Sequence, residues 1–486
     1  MRGFLAPPIG VTCAAALALP LAPPAAAAPA RPVPTAEVPA TGRPAPTDPV
    51  PAADRSRIPG STQSLPLRPL SRDRAAGPAE QGLPARDVQR FSLVGVVWDE
   101  PDTELHGRVQ VRTRATATGA WSPWRDLETH HTDHGADPGT AERLSGRVRG
   151  ATAPLWVGES DGVEVRVRAE GGGGRERGYE DGSGSGGLRA VGVPAGQGLP
   201  AGLRLELVDP GEATDPPPEV PAEDGSRTGA PGPQSSEAVA ASAANAGLAP
   251  LGAAEIPALS RAQTVNELIA LGAGALTGQR QKAEPYVGPR PGIVTRSGWG
   301  ADEKLREKKF VYTKKVKAAF VHHTASGNNY TCSQAPSVIR SIYRFHVGSM
   351  GWRDIGYNFL VDKCGKIYEG RAGGVAKPVQ GAHTLGFNTN SMGVAVIGTY
   401  SSTKPSSSAV TAIARLTAWK LGLYGMNPNG KTYLTSGGGN RYKKGKSVRL
   451  NVISGHRDGF VTDCPGGKLY GKLGTARSTA ARYQGR

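Results

Sequence analysis

Aromatic residues make up only 6% of this sequence, and apolar residues of all kinds reach only 38%. The 486 residues leave room for about three domains of ordinary size. However, the chain contains 67 glycines and 41 prolines, and segments rich in them bury too little apolar surface to offset the entropy lost on folding. One large hydrophobic core is therefore excluded, and part of the chain is expected to be linker.

Acidic residues are scarce towards the C-terminus. Residues 285–486 contain 31 lysines and arginines but only 8 aspartates and glutamates, whereas the preceding residues contain 27 basic and 33 acidic side chains. A domain with such a surplus attracts polyanions, such as nucleic acid, anionic lipid or an anionic wall polymer. The sequence therefore predicts a basic C-terminal unit joined to a mildly acidic N-terminal arm.

Charged residues are absent between Arg2 and Arg31. Within this stretch, residues 9–22 are mostly apolar and residues 25–28 are small, which is typical of a secretory signal peptide spanning 1–28. An uncleaved membrane anchor is the alternative, because the uncharged span is long enough to cross a bilayer. Several prolines interrupt it, so we expect a secreted protein with no stable membrane anchor and no nucleic-acid partner.

Two stretches of low complexity divide the rest of the chain. Residues 29–87 are rich in proline and alanine and predict a semi-rigid extended linker. Residues 211–285 predict a second linker, in which 264–271 has the pattern of a short helix. The linkers leave an N-terminal domain at 88–210 and a C-terminal domain at 286–486.

The N-terminal domain alternates apolar with polar side chains. The pattern is clearest at Val163, Val165 and Val167, and a period of two is typical of half-buried strands. We therefore predict a small all-β, sandwich-like accessory domain, which a glycine-rich insertion interrupts at 171–187. It contains no catalytic constellation.

A cluster of histidines and aspartates lies in this domain. It comprises His130, His131, Asp133, His134 and Asp137. Metal ligands have to be held rigidly, and no apolar strand flanks the cluster. We therefore interpret it as a solvated loop rather than as a metal site.

The C-terminal domain alternates short apolar runs with amphipathic segments. Strands are predicted at 318–321, 355–361, 392–398 and 448–453, and helices at 335–348, 408–423 and 468–482. This alternation predicts an α/β domain with a central mixed sheet flanked by helices. The whole chain is thus expected to be multidomain, with an all-β domain followed by an α/β domain.

Three of the four cysteines remain once the predicted signal peptide, which contains Cys13, is removed. Cys332 and Cys364 bracket the first predicted helix of the C-terminal domain and the strand behind it, and a bridge between them would contribute about 3–4 kcal/mol in the entropic account of disulfides. Cys464 is then the odd thiol. Because exposed thiols rarely persist outside the cell, we expect Cys464 to be masked or bound to a metal.

The residues around Cys464 point to a metal. His456 follows a predicted strand eight residues before the cysteine, and a third ligand can come from His322 or His323 at the end of another strand. Two histidines and one thiolate form the kind of three-ligand zinc site that leaves a fourth position open for water. The alternative is that His456 packs against the strand end and Cys464 is a buried spectator.

Five motifs follow one another between residues 290 and 470: FVHHT at 320–324, GWRDIGYNF at 351–359, YEGR at 368–371, GAH at 381–383, and GHRD at 455–458 with CPG at 464–466. They resemble the motifs of peptidoglycan recognition proteins and zinc-dependent N-acetylmuramoyl-L-alanine amidases, which are relatives of the phage amidase-type lysozymes. The resemblance implies a Zn²⁺ ion held by His322, His456 and Cys464. His323 does not match a ligand.

The resemblance also assigns roles to other residues. Tyr357 matches the active-site tyrosine that assists the attacking water and steadies the oxyanion. Thr462 occupies a position held by lysine in phage and some bacterial amidases, and resembles the catalytically active animal members. His346, Arg371 and His383 are the residues expected to bind the muramoyl-peptide, and the two histidines are either groove or core residues.

The function implied by the resemblance is a secreted amidase that cleaves the bond between N-acetylmuramic acid and L-alanine in peptidoglycan. A non-catalytic peptidoglycan-binding protein is the alternative, but the presence of Cys464 and Tyr357 favours catalysis. The basic segments 304–317 and 441–449 are expected to form a solvated face that holds the protein on anionic wall polymers.

Overall fold

The computed structural model describes residues 60–70, 80–129, 133–170, 198–211, 235–272 and 286–486. The predicted signal peptide, the predicted insertion at 171–187, and the pair His130 and His131 lie outside these residues. Within the described ranges, no helix combines the length and the apolar character needed to cross a membrane.

The N-terminal domain is one eight-stranded antiparallel sheet. Its strands are β1 (Ser61–Pro66), β2 (Arg68–Pro69), β3 (Glu80–Trp98), β4 (Gly107–Ala115), β5 (Arg125–Leu127), β6 (Gly150–Ala151), β7 (Leu155–Ala169) and β8 (Arg204–Asp209). The strand order is β1-β8-β3-β7-β4-β5, with β2 and β6 paired to β3. Val163, Val165 and Val167 are fully buried, so the all-β prediction for this domain is confirmed.

The longest strand, β3, has two main neighbours. β7 pairs along most of β3, for example Gln81 with Val167 and Val94 with Leu155, whereas β8 pairs only with its second part, for example Val94 with Leu207. Register shifts between β3 and β7 separate the two parts. Apolar side chains from both parts contribute to one core cluster.

The domain begins earlier than the predicted boundary at residue 88. β1, β2 and the first part of β3 lie within 29–87, so the prediction of a linker is wrong for the described residues of that stretch. A strand as short as β1, set among prolines, has too little pattern of its own to be recognised. Its hydrogen-bonding partner is β8, far downstream in the sequence.

Residues 235–272 are also folded, although they lie within the second predicted linker. They form α1 (Ser236–Ala243), β9 (Glu255–Ile256) and α2 (Arg261–Gly272), and α2 contains the helix predicted at 264–271. Ile256 and Val265 are buried in the core of the C-terminal domain. These long-range apolar contacts stabilise the segment, and its own composition does not reveal them.

The C-terminal domain is built on a seven-stranded mixed sheet. Besides β9, its strands are β10 (Ile293–Val294), β11 (Ala318–His323), β12 (Phe359–Val361), β13 (Ile367–Glu369), β14 (Ser391–Val396) and β17 (Ile453–Gly455), and a separate hairpin joins β15 (Lys431–Thr435) to β16 (Ser447–Asn451). The order is β17-β11-β14-β12-β13-β10-β9. β11 runs parallel to both β14 and β17, whereas β12 and β13 are antiparallel.

Helices accompany this sheet, as predicted. They are α3 (Arg296–Trp299), α4 (Ala335–Arg344), α5 (Ser407–Gly422), α6 (Gly467–Tyr470) and α7 (Leu473–Tyr483). The strand predicted at 355–361 forms only over its last three residues, and the helix predicted at 335–348 gives way to a π-helical turn, Phe345–Ser349. Both departures lie beside Tyr357 and shape its surroundings.

The two domains share a hydrophobic core. Leu93, Val97 and Trp156 of the N-terminal sheet belong to the same apolar cluster as α4 and the π-helical turn after it. The ring of Phe345 lies so close to Gly95 that a Cβ atom added there would be 2.5 Å from it. This packing fixes the N-terminal domain against the face of the C-terminal domain that carries the predicted site.

Candidate metal centre

Two neighbouring strand ends bring the predicted zinc ligands together. His322 lies near the end of β11 and His456 directly follows β17, and these strands pair in parallel with Val321 opposite Gly455. Because parallel neighbours end at the same edge of a sheet, both imidazoles reach one place. The loop after His456 then brings Sγ of Cys464 to 3.7 Å from Nδ1 of His322.

A fourth candidate ligand comes from the N-terminal domain. Nε2 of His134 lies 4.0 Å from Sγ of Cys464, and the ring centroids of His134 and His456 are 4.5 Å apart. The ligand atoms of His134, His322, His456 and Cys464 all lie within 4.8 Å of one another. The structure therefore brings the three predicted ligands together and adds one from the other domain.

The prediction of a solvated loop at 130–137 is wrong for the residues that the structure describes. Asp133, His134 and Asp137 are only 2%, 6% and 5% exposed. The residues that bury them belong to the C-terminal domain; for example, the main-chain N–H of Leu385 donates to the carbonyl of Asp133 at 3.0 Å. Local pattern could not show this burial, and the density of histidines and aspartates was the one available signal.

The four side chains have the chemistry of a zinc site. Three imidazoles and one thiolate are a donor set that zinc accepts in tetrahedral coordination. Burial lowers the pKa of His456 to about 3 and lowers that of His322, so both rings are neutral and able to ligate. Burial also raises the pKa of the Cys464 thiol, so a nearby cation is what would favour the thiolate.

His383 orients one of the predicted ligands. Its Nδ1 lies 3.3 Å from Nε2 of His322, which leaves Nδ1 of His322 facing the thiol of Cys464. His323 lies outside the cluster, and its Nδ1 accepts a hydrogen bond from the main-chain N–H of Tyr400 at 3.2 Å. The structure thus places the two adjacent histidines in different surroundings.

Tyr357 lies beside the cluster. Its ring centroid is 5.5 Å from that of His322 and 5.8 Å from that of His134, and its side chain is 2% exposed. Burial, and after it the Cys464 thiol, raises the pKa of the phenol. The hydroxyl is therefore protonated at neutral pH and can donate a hydrogen bond.

His346 and Arg371 are buried rather than exposed in an open groove. His346 packs on Trp352 with ring centroids 4.4 Å apart, and its Nδ1 accepts a hydrogen bond from the main-chain N–H of Gly356 at 3.2 Å. The guanidinium of Arg371 donates two hydrogen bonds, of 2.8 and 2.9 Å, to the carboxylate of Glu142 in the N-terminal domain. Sequence reasoning missed Glu142, which no local motif marks.

The remaining predicted residues are Thr462 and the cysteines. The hydroxyl of Thr462 accepts a hydrogen bond from the main-chain N–H of Cys464 at 3.1 Å, so it braces the loop that carries the thiol. Cys332 and Cys364 form a disulfide, as the sequence predicts, and Cys464 is a buried free thiol.

The two basic segments are neighbours on the surface. Most lysines and arginines of 304–317 and 441–449 are exposed or partly exposed. The ammonium of Lys317 donates to the carbonyl of Tyr433 at 3.4 Å, and Tyr433 lies on β15, whose partner β16 includes Arg449. The segments therefore contribute to one basic surface.

Comparison with known families assigns both domains. Residues 46–188 match the family described as Rv3811 N-terminal galactose-binding domain-like, and residues 312–467 match the N-acetylmuramoyl-L-alanine amidase family. All three predicted zinc ligands lie in the second range.

Known proteins are also similar to part of the chain. Peptidoglycan-recognition protein SC2 of Drosophila simulans is 29% identical over 185 residues, which are 38% of this chain and 85% of the relative. Human peptidoglycan recognition protein 3 is 36% identical over 122 residues, which are 25% of this chain and 34% of the relative. A solved structure of peptidoglycan recognition protein-LE in complex with tracheal cytotoxin is 30% identical, with a TM-score of 0.29, over 38% of this chain and 92% of that one. The C-terminal domain of this protein belongs to the family of N-acetylmuramoyl-L-alanine amidases and peptidoglycan recognition proteins.

Proposed function

We propose that the protein is a secreted, zinc-dependent amidase that hydrolyses the bond between N-acetylmuramic acid and L-alanine in peptidoglycan. The observation that carries the proposal is the buried set of His322, His456 and Cys464 beside Tyr357, within residues that match the amidase family. The relatives named for peptidoglycan recognition support the wall polymer as the ligand.

The residues of the site suit this chemistry. Zinc, when bound by these ligands, supplies the Lewis acidity that activates water at neutral pH and polarises the scissile carbonyl. The protonated hydroxyl of Tyr357 is the donor that stabilises the developing oxyanion. His383 holds His322 so that Nδ1 faces the thiol, which is the usual contribution of a residue behind a metal ligand.

Peptidoglycan binding without hydrolysis is the second candidate function. The names of the relatives and the complete burial of the site favour it. We prefer the amidase because binding alone requires neither a thiol among histidines nor a buried tyrosine hydroxyl beside them.

Digestion of purified wall tests the proposal. The zinc-loaded full chain and its His134→Ala variant, which keeps the three predicted ligands, are incubated with insoluble wall, and the new chain ends are identified. An amidase produces free amino groups on L-alanine without new reducing sugar ends. Cys464→Ala is the matched control and should release neither. New reducing ends without alanine amines would contradict the proposal in favour of a glycosidase.

A further inference from the structure

The site is closed in this structure. His322, His456, Cys464 and Tyr357 are each at most 2% exposed. A glycan strand with its stem peptide has to touch the reacting atoms, so it cannot react while these side chains are covered. The cover is formed by residues 133–149 of the N-terminal domain, which we call the covering segment.

The first contact of the covering segment is with the ligand cluster itself. His134 places Nε2 4.0 Å from Sγ of Cys464, and its ring lies 5.2 Å from that of His322 and 5.8 Å from that of Tyr357, between centroids. Structural zinc sites have four protein ligands, whereas catalytic ones have three and an open position. With His134 included, the cluster has four protein ligands, as in a structural zinc site.

The second contact anchors the segment on the loop after His383. Oδ1 of Asp137 accepts hydrogen bonds from the main-chain N–H of Gly386 at 2.8 Å and from the side-chain amide of Asn388 at 2.7 Å. The same amide donates to the carbonyl of Gly135 at 2.8 Å. These bonds hold the chain on both sides of Ala136 next to the cluster.

The third contact involves Arg371, one of the three residues that the sequence predicts for substrate binding. Glu142 and Arg371 are 7% and 6% exposed and form a two-bond ion pair, and Glu142 also accepts from the main-chain N–H of Arg353 at 3.1 Å. Removing either charge would leave the other buried and uncompensated. The segment therefore covers both the ligand cluster and the predicted groove.

We infer that the covering segment is an intramolecular inhibitor: His134 takes the ligand position that a catalytic zinc keeps open, and the segment has to be displaced before the wall polymer can enter. The inference rests on the proposed amidase function, because inhibition requires an activity to inhibit. It gives the N-terminal domain a role, which is to hold the enzyme latent until the segment is released.

The open position can be tested without measuring hydrolysis. The full chain is loaded with Co²⁺, which occupies His/Cys sites and has visible absorption bands that respond to its ligands, and is titrated with azide. We expect the bands of the wild-type protein to be insensitive to azide and those of His134→Ala to shift. Asp137→Asn combined with Glu142→Gln, which weakens the anchors but keeps all four ligands, should respond at intermediate azide concentrations.

Asp126→Asn is the matched control, since it breaks an ion pair with Arg108 that is exposed on the same domain, and it should behave as wild type. An equal azide response from wild type and His134→Ala would overturn the inference. If His134→Ala does not fold, the azide titration of the Asp137→Asn, Glu142→Gln double variant tests the inference instead. A titration curve identical to that of the wild type would then overturn it.

Hydrolysis of a soluble muramoyl-dipeptide separates this inference from the proposed function. We expect the His134→Ala and double variants to be faster than wild type by on the order of tenfold or more, the usual size of coupling between two states. Equal rates for wild type and variants would overturn the inhibition and leave the amidase intact. The variants could instead respond to azide while no form of the protein hydrolyses the dipeptide. This result would contradict the amidase function and therefore also the inhibitory role, and the cluster would be a four-ligand binding site.

Discussion

His134 and Cys464 belong to different domains, yet Nε2 of the one and Sγ of the other are 4.0 Å apart. The candidate metal centre is therefore shared between the domains. A metal bound there would tie the covering segment to the C-terminal domain in addition to the hydrogen bonds that already anchor it.

Zinc should therefore stabilise the folded protein as a whole. A ligand that binds the native state alone raises the free energy of unfolding by about 2.7 kcal/mol at a hundred times its Kd. We expect chelation to lower Tm and to expose the covering segment to proteases, and added Zn²⁺ to reverse both effects. Differential scanning calorimetry and mapping of the cleavage sites provide the measurement. A Tm that is the same with and without zinc would contradict a metal at this place.

The adjacent histidines should differ in their effect on metal affinity. His322→Ala removes a group that faces Cys464, whereas His323→Ala removes one that faces the main chain of Tyr400. Competition with a fluorescent chelator should show a much weaker zinc affinity for the first variant and nearly wild-type affinity for the second. An equal loss of zinc affinity in the two variants would mean that both histidines take part in the site.

Tyr357→Phe should separate chemistry from binding. The ring keeps its packing against His322 while the hydroxyl is lost, so zinc affinity and KM should hold. In the His134→Ala background, kcat should fall by roughly 10²–10³, as for the loss of one oxyanion donor. Unchanged turnover of the soluble muramoyl-dipeptide would exclude the hydroxyl from the reaction.

Glu142→Gln should destabilise the protein through Arg371. The substitution leaves the guanidinium buried without its counter-charge, which should lower the free energy of unfolding by about 3 kcal/mol. Urea unfolding measures this, with Asp126→Asn as the exposed counterpart for which no change is expected. A stability equal to wild type would indicate that solvent reaches Arg371 in solution.

Binding to whole wall should be more sensitive to salt than hydrolysis of a small substrate. Exposed charges, such as those of 304–317 and 441–449, are screened over about 8–10 Å at physiological ionic strength. Sedimentation with insoluble wall should therefore show retention that declines steeply as salt rises, while turnover of the soluble muramoyl-dipeptide changes little. Salt-independent retention would assign wall binding to another surface.

The sequence could predict the cluster of His322, His456 and Cys464 because each lies in a short motif, two of them at strand ends and the third in the loop that follows. Parallel pairing of β11 with β17 then brings the two strand ends, and with them His322 and His456, to the same edge of the sheet. The disulfide between Cys332 and Cys364 was predictable because the two cysteines bracket one helix and the strand after it, α4 and β12.

The contribution of His134 could not be predicted in the same way. Its burial depends on residues such as Leu385 and Asn388 that are far away in the sequence, and its own segment has no strand or helix pattern. β1 was missed for the same physical reason, because it is a strand only through its pairing with β8. Structural features that depend on contacts between distant segments produce no periodic pattern in the local sequence, so they cannot be predicted from it.

The close approach of Phe345 to Gly95 limits how the polypeptide can be divided. A fragment beginning at residue 286 would lack Leu93, Val97 and Trp156, which pack with α4 and the turn behind it. It would present that apolar surface to water, and surfaces of this kind cause self-association. Such a fragment should be insoluble even though it contains the whole range that matches the amidase family, 312–467. If the covering segment is displaced as proposed, we therefore expect residues 133–149 to move locally while the domain that carries them stays in place.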